Sequence, residues 1–505
     1  AGEGEGQGPG EGEGAAEGEG EGIPPPGVVC PAPLAAVDLG DATVVGDGSA
    51  GSCTEAELDN ALANHASKIA LRCGDAPVSI AITSEKVVSD DLVIDGGGTV
   101  TLDGGGSARI LRIDSTFDVD TPHVTLQNLT LAHGQAPAST ELDGGGGAIS
   151  RVGGTLDLIA VNFVDNHGNG DGQDTAGGAI FSEGGGFTNV VGCTFSGNRC
   201  SNGGALGNLG NDLVVVNSDF DDNAATGSGG NPGDGGNGGT ISIDGQGRSV
   251  TVCGVHITRS VGNAFGGAIF RVAYAFTEPT DIDRLVVDGA SIPDQDPSLA
   301  GALYLQGTVV TMQASTIENS SASGGGAAFF GPSATVHLVN DSFFDNTASS
   351  GLGGALFVSG LLGGEIDNCT FVGNSAPGDG GFGGAIVGDG GNVALENTLI
   401  LDSAAGNGFN PVSCTTELAG GVGSFQFPVA RSGGGSDDPD ALCGALVKTV
   451  DVPIGDVDTS GVVPVRVPAA SSPALGAGRV CPQSDALGNP RSTDACTAGA
   501  VEVAP

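Results

Sequence analysis

The chain is 505 residues long and carries 60 Asp plus Glu against 16 Lys plus Arg, a formal net charge of −44. That balance argues against nucleic acid or anionic membrane as partner, because phosphate binding needs clustered cations; divalent cations and cationic polymers remain compatible. With 94 Gly, no Trp and 4% aromatic residues, the composition also argues against an ordinary aromatic-rich core, whereas stacked Val, Ile, Leu and Ala ladders need no aromatics.

In chain order, residues 1–29 are a Gly-Glu repeat closed by Ile23-Pro24-Pro25-Pro26. This stretch is too polar and too Gly-rich to bury a core, so it reads as a solvated, self-repelling tether. The single methionine is Met312, and Ala1 is expected to follow a removed leader or a trimming point. Residues 30–76 read as an N-terminal cap. Thr54-Glu55-Ala56-Glu57 is a capping box, and Leu58, Ala61 and Leu62 form one apolar face of a short helix over 55–65. Such a helix would cover the exposed strand edges at one end of a stack.

Segments 78–83, 92–95, 100–102, 110–113 and 124–131 are short, β-branched and bounded by Gly, Asn or Asp, which predicts successive strands. From there to Asp402 a block of about 25 to 35 residues recurs. Its turn step reads Gly-Gly-Ala-Ile/Leu, as at Gly146, Gly177, Gly203, Gly266, Gly353 and Gly383, with Thr240 replacing Ala in the copy at Gly238. Its strand ends in Phe followed by Asn: Phe163 with Asn166, Phe195 with Asn198, Phe220 with Asn223, Phe343-Phe344 with Asn346, and Phe371 with Asn374. A fixed period of this kind is a stacked-repeat signature. No segment between Thr125 and Asp402 has helical periodicity, so the repeats are strands. The predicted fold is all-β: a right-handed, single-stranded parallel β-helix over residues 77–403, of ten or eleven coils, with a capping helix before it. The repeated Asn predicts an interior amide ladder. Residues 404–505 lose the repeat, gain Pro and carry four cysteines, so they read as an irregular, disulfide-rich C-terminal cap.

Two kinds of acidic site are visible. Asp219, Asp221 and Asp222, with Asp165 and Asp345 at matching register, are the richest carboxylate spot. They suit a glycosidase or lyase cleft only if they converge, and otherwise cap turns. The Gly-rich acidic loops place Asp171, Asp174, Asp234 and Asp379 as weak calcium candidates through carboxylate and carbonyl oxygens. No other cofactor is expected. Eleven cysteines suggest an oxidising compartment. Close neighbours are Cys53/Cys73, Cys193/Cys200, Cys414/Cys443 and Cys481/Cys496; connectivity stays open, and Cys30 is the candidate for the odd thiol. No run of 18 apolar residues exists to span a bilayer as a helix.

The run Cys53-Thr54-Glu55-Ala56-Glu57-Leu58, then Cys73-Gly74, Leu92-Val93-Ile94-Asp95-Gly96-Gly97-Gly98 and Leu126-Gln127-Asn128-Leu129-Thr130-Leu131 resembles the opening of bacterial right-handed β-helix surface proteins. The repeats are similar to the GGA(I/L/V) and FxxN motifs of the polymorphic outer-membrane protein family. The ending, from Ser472-Pro473-Ala474-Leu475 through Cys481 and Cys496 to Gly499-Ala500-Val501-Glu502, resembles a choice-of-anchor module. The resemblance implies export and display at the cell surface. The sequence therefore predicts a secreted or surface rod that is structural or adhesive. It would be either a self-associating fibre protomer or a monomeric adhesin for glycan or surface ligands, with polysaccharide lyase or hydrolase ranked third.

Overall fold

The computed structural model describes residues 29–139, 142–229, 235–245, 248–293, 298–389, 392–407, 412–429 and 442–503. Within them the chain winds into a parallel β-solenoid of about 13 turns, roughly 60 Å long at the usual strand spacing. The count exceeds the ten or eleven coils expected because the stack begins inside the cap and continues past Asp402. Strand Thr43–Val45 pairs in parallel with Lys68–Leu71, and Phe425–Phe427 with Leu399–Leu401.

One coil shows how the sequence makes the turn. Strand Phe187–Val191 bends at Gly192 (φ +62°), and Thr194–Ser196 follows and bends again at Gly197 (φ +69°). Asn198 then turns inward, and after Gly203-Gly204-Ala205 the strand Leu206–Leu209 closes the coil. Both bends recur in register as columns of left-handed residues. The second column holds His133, Asp165, Asp222, Arg259, Asn319, Asp345 and Asp402, with φ between 49° and 53°. A side-chain residue in this region usually costs about 1 kcal/mol, and five of these seven are Asp or Asn, the short polar types that tolerate it best.

The two glycines of the turn have different causes. The first has positive φ, as at Gly177, Gly203 and Gly266. The second lies against the coil above: a Cβ on Gly178 would overlap the Gly204 carbonyl oxygen, and one on Gly267 that of Gly301. The motif is thus a stacking requirement, and the alanine after it faces inward, fully buried at Ala179, Ala205 and Ala268.

Inside, one continuous apolar cluster runs from Val45 to Val447. Phe163, Phe195 and Phe220 stack at 4.5 Å between centroids, and Phe343 and Phe371 at 4.7 Å. Helix Glu55–Ala63 closes the N-terminal end. The Thr54 hydroxyl accepts the Glu57 N–H, and Leu58 and Ala61 are buried against the first coils. Lys86, almost fully buried on the first strand of the 11-stranded sheet, donates to Glu55 at 2.6 Å and pairs with Asp59 at 2.8 Å.

Four disulfides are present: Cys30–Cys253, Cys53–Cys73, Cys414–Cys443 and Cys481–Cys496. Two expectations are corrected. Cys30 is bonded, to a residue 223 positions away, because residues 29–42 return along the solenoid flank. Cys193 and Cys200 are not bonded to each other: they sit on either side of strand Thr194–Ser196, at different corners of one coil. With Cys369 they are buried thiols, and burial pushes the Cys193 and Cys200 thiols up to about 12, which leaves them unreactive.

The C-terminal region packs on the side of the solenoid. Its hairpin, Ile454–Asp458 with Val465–Pro468, lies near Thr316, whose hydroxyl donates to the Pro464 carbonyl. Three left-handed asparagines in the first corner column hold the rest. Asn340 donates to the Ser484 carbonyl, Asn368 to Thr497 and Gly499, and Asn397 to Arg479. Arg491 is buried, donates to Asn340 at 3.1 Å and pairs with Glu502 at 3.1 Å.

Candidate functional site

The carboxylates singled out from sequence do share a register, and the structure spreads them along a ridge. Asp165, Asp222 and Asp345 occupy one left-handed corner column, and each faces its own basic side chain: His167 at 3.0 Å, Arg199 at 3.0 Å and Arg466 at 2.6 Å. Asp221 pairs with Arg259, and Asp219 lies 3.6 Å from His256. Burial, reinforced by Asp221, pushes Asp219 up to about 7. These residues cap corners, each with a neighbour of its own, and they do not converge on a common point.

The calcium candidates are likewise dispersed. Asp171 and Asp174 are exposed on the loop that follows Phe163; Asp379 is exposed on the loop that follows Phe371. The registers place those loops seven coils apart, roughly 34 Å at the usual spacing. Asp234 lies outside the described residues. Among the described residues, the one trio of metal-capable side chains in mutual reach is Cys30, Cys253 and Asp283, and its two sulfurs are bonded to each other.

A groove that sequence reasoning missed lies on the outer face of the 11-stranded sheet. Strands Ile180–Glu183, Leu206–Leu209, Ile241–Asp244, Ile269–Val272 and Leu303–Gln306 stack in register. Their first residues point into the core, so the second residues point out: Phe181, Gly207, Ser242, Phe270, Tyr304, then Phe329 and Phe357. The two small residues open a gap in an otherwise aromatic row, and the result is a depression of about 250 Å³. Tyr304 is the hub of one wall, with ring centroids 5.0 Å from Phe265, 5.2 Å from Phe270 and 4.8 Å from Phe329. Burial pushes its phenol up to about 12.

The polar lining comes from the fourth outward position and from the loops before each Gly-Gly turn. Asp244 accepts from the Tyr274 hydroxyl at 3.1 Å, and Gln306 accepts from Tyr304 at 3.0 Å. Asp174 lines the same groove as Asp244. Burial raises the Asp244 carboxyl above its ordinary value; Tyr274 opposes the shift and Asp174 adds to it. Asn202 is fully committed, donating to the Gln173 and Thr175 carbonyls and accepting the Asn237 N–H. By contrast, the buried Oδ1 atom of Asn237 has no partner; that of Asn208 is also unpaired, but Asn208 holds the inward third position of its strand, in register with Ile243. Unpaired buried acceptors cost free energy unless something donates to them.

A signal for this groove was present in the sequence. The residue after each Gly-Gly-Ala-Ile/Leu step is aromatic at Phe181, Phe270 and Phe357, and Tyr304 and Phe329 follow the looser copies Gly301-Ala302-Leu303 and Gly325-Gly326-Ala327-Ala328. Chemically, an aromatic border with acceptors beside it suits a ligand with an apolar patch and hydroxyl or amine donors at its edge.

No protein-family model matches the chain, and no curated protein matches it.

Proposed function

We propose that this protein is a monomeric extracellular β-helix rod that binds glycan chains in the groove between Phe181 and Tyr304. The observation that carries the reading is the outward aromatic row interrupted by Gly207 and Ser242, with the unpaired Asn237 Oδ1 atom in the lining beside the gap. Pyranose rings have an apolar face that stacks on aromatic side chains and a rim of hydroxyls that donate to amides. Repetition of the coil adds length to the row along the rod axis, as a linear polymer requires. Four disulfides support an oxidising, extracellular setting, and no helix among the described residues is long and apolar enough to cross a membrane. The likeness of the repeats to polymorphic outer-membrane proteins, and of the ending to a choice-of-anchor module, supports display at a cell surface.

The fibre reading draws less support. End-to-end growth needs open strand edges, and here helix Glu55–Ala63 covers the first coil through Lys86. The C-terminal module, the other candidate connector, is docked on its own solenoid through Asn340, Asn368 and Asn397.

The test is titration calorimetry of the folded chain against soluble hexasaccharides of neutral, amino and uronic type, repeated with Tyr304→Ala. Saturable binding lost in Tyr304→Ala at unchanged melting temperature supports the reading. No saturable binding to any of the set sinks it. Chromatography of the same mixtures after long incubation decides the lyase or hydrolase alternative, since shortened products would make the groove a catalytic cleft.

A further inference from the structure

Arg271 is only 2% exposed and holds the third position of strand Ile269–Val272, so its side chain enters the core. The same column carries Arg151, Ser182, Asn208, Ile243 and Leu305. Arg151 shows what a buried guanidinium needs at this place. Its Nε donates to Ser182, its Nη1 to the Gly153 and Gly154 carbonyls, and its Nη2 to Thr188. Ser182 and Thr188 both belong to the coil after Arg151. In the coil after Arg271 those two positions are held by Leu305 and Val310, which offer no side-chain acceptor. Arg271 therefore keeps one bond, from Nη2 to the Arg248 carbonyl at 2.7 Å, and its Nε and Nη1 have no partner.

The counter-ion does not meet them. Glu278, itself buried, stands 3.9 Å from the Arg271 Nη2 atom, too far for a hydrogen bond, and both of its carboxylate oxygens are unpaired. A buried ion pair offsets its desolvation only when its remaining donors and acceptors are also met. Arg271 and Glu278 line one small cavity together with Asn208, which spends its Nδ2 on the Asn211 carbonyl and leaves its Oδ1 unpaired. The cavity measures about 10 Å³, room for one water molecule and nothing larger.

We propose that this cavity is a binding site for a single ordered water molecule that bridges Arg271 and Glu278. The occupant must accept from a guanidinium N–H and donate to a carboxylate. A halide only accepts, an ammonium ion only donates and an alkali cation does neither, and the opposed charges of the pair favour a neutral guest. Water has two lone pairs and two hydrogens, and the Asn208 Oδ1 atom accepts the second hydrogen. The water takes the part that Ser182 and Thr188 play for Arg151, and it ties three successive coils together from inside. Asp244 and Val272 line both this cavity and the groove, so the brace lies directly beneath the groove. It holds whatever the groove binds.

The test is a high-resolution crystal structure of the whole chain, with oxygen-17 relaxation dispersion of water in its solution, for the wild type and for the double variant Arg271→Met, Glu278→Leu. The wild type is expected to show one solvent peak about 2.7–3.2 Å from Arg271 Nε or Nη1 and from a Glu278 oxygen. It should also hold one more slowly exchanging water than the variant. Direct Arg271–Glu278 hydrogen bonds with no solvent peak between them would overturn the proposal, as would equal numbers of slow waters in the two chains. A peak that persists in the variant would overturn it as well, by showing that the ion pair does not hold the water. Replacing a buried pair by apolar groups is often neutral or stabilising, so the variant is expected to fold; if it does not, the wild-type density decides alone.

Discussion

The Asn223 Oδ1 atom holds Asn198 twice, accepting its backbone N–H at 3.0 Å and its side-chain Nδ2 at 2.9 Å. The same double contact joins Asn166 to Asn198 and Asn346 to Asn374. Each amide also donates to a carbonyl of the preceding coil, as Asn198 does to Phe163 at 3.2 Å. These side chains replace strand hydrogen bonds where the backbone turns a corner, so the backbone amides they meet stay paired through the turn.

Asn198→Ala removes a link that two coils depend on and strands the Asn166 amide. A loss of about 2–3 kcal/mol is expected, measured by urea unfolding. Asn198→Asp should be worse at neutral pH, because it replaces the Nδ2 donor with a buried charge. A loss below 1 kcal/mol for Asn198→Ala would show that water takes over the ladder.

Gly267→Ala tests the stacking origin of the turn motif. A Cβ there meets the Gly301 carbonyl of the next coil, and the coils cannot separate without breaking ladders on every side. The substitution should cost about 1–3 kcal/mol, as overpacking does. Ala at Gly192, where a Cβ meets nothing within 4 Å, should cost only the roughly 1 kcal/mol of its left-handed backbone. The contrast between the two, read from thermal unfolding, is the decisive quantity.

Arg491 joins the C-terminal module to the solenoid through Asn340, the Thr497 and Gly499 carbonyls and Glu502. Arg491→Met leaves Glu502 without its cation in a mostly buried place, a loss of about 3 kcal/mol. Limited proteolysis should then cleave within residues 450–503 while the solenoid fragment stays intact.

The pH dependence of stability has two opposing arms. Burial pushes Asp219 and Glu318 up to about 7 and Asp367 up to about 6, and raises the fully buried Asp341 as well. For acids raised on folding, the folded chain holds protons the unfolded chain has released. Their contribution is complete below the unfolded value near 4 and is lost as pH rises through 6 to 7. Glu55 runs the other way. Burial opposes its ionisation, but Lys86 and Thr83 outweigh it and hold the carboxyl down to about 2, so its contribution is present above about 4.5 and fades toward 2. The melting temperature should peak near pH 5 and fall toward pH 8. Asp341→Ser, which copies the Ser315 and Ser424 found at this corner, should flatten the alkaline fall. A melting temperature that climbs from pH 5 to 8 would refute the assignment.

The solenoid was legible because its causes are local and repeated. Gly-Gly-Ala, Phe and Asn mark a close approach, a core ladder and a corner amide, each dictated by the coil above. The acidic residues of the second corner were legible as a register and misleading as a site, since sequence shows alignment but not whether side chains converge. The groove was missed because it arises from an absence, the missing side chain at Gly207, and from residues as far apart in sequence as Leu142 and Gln306 that only stacking brings together. Cys30–Cys253 was missed for a related reason: nothing in residues 29–42 announces that they run back along the flank.

That bond sets the path of mechanical load. Residues 31–252 lie within a covalent ring closed by Cys30 and Cys253. Tension applied through residues 1–29 therefore bypasses the helical cap and the early coils, and enters the rod at strand Val250–Cys253. That strand belongs to the coil that carries Ser242 and Asp244 of the groove. The cap cannot be peeled from its end, and a tethered molecule under drag would be held beside its own groove.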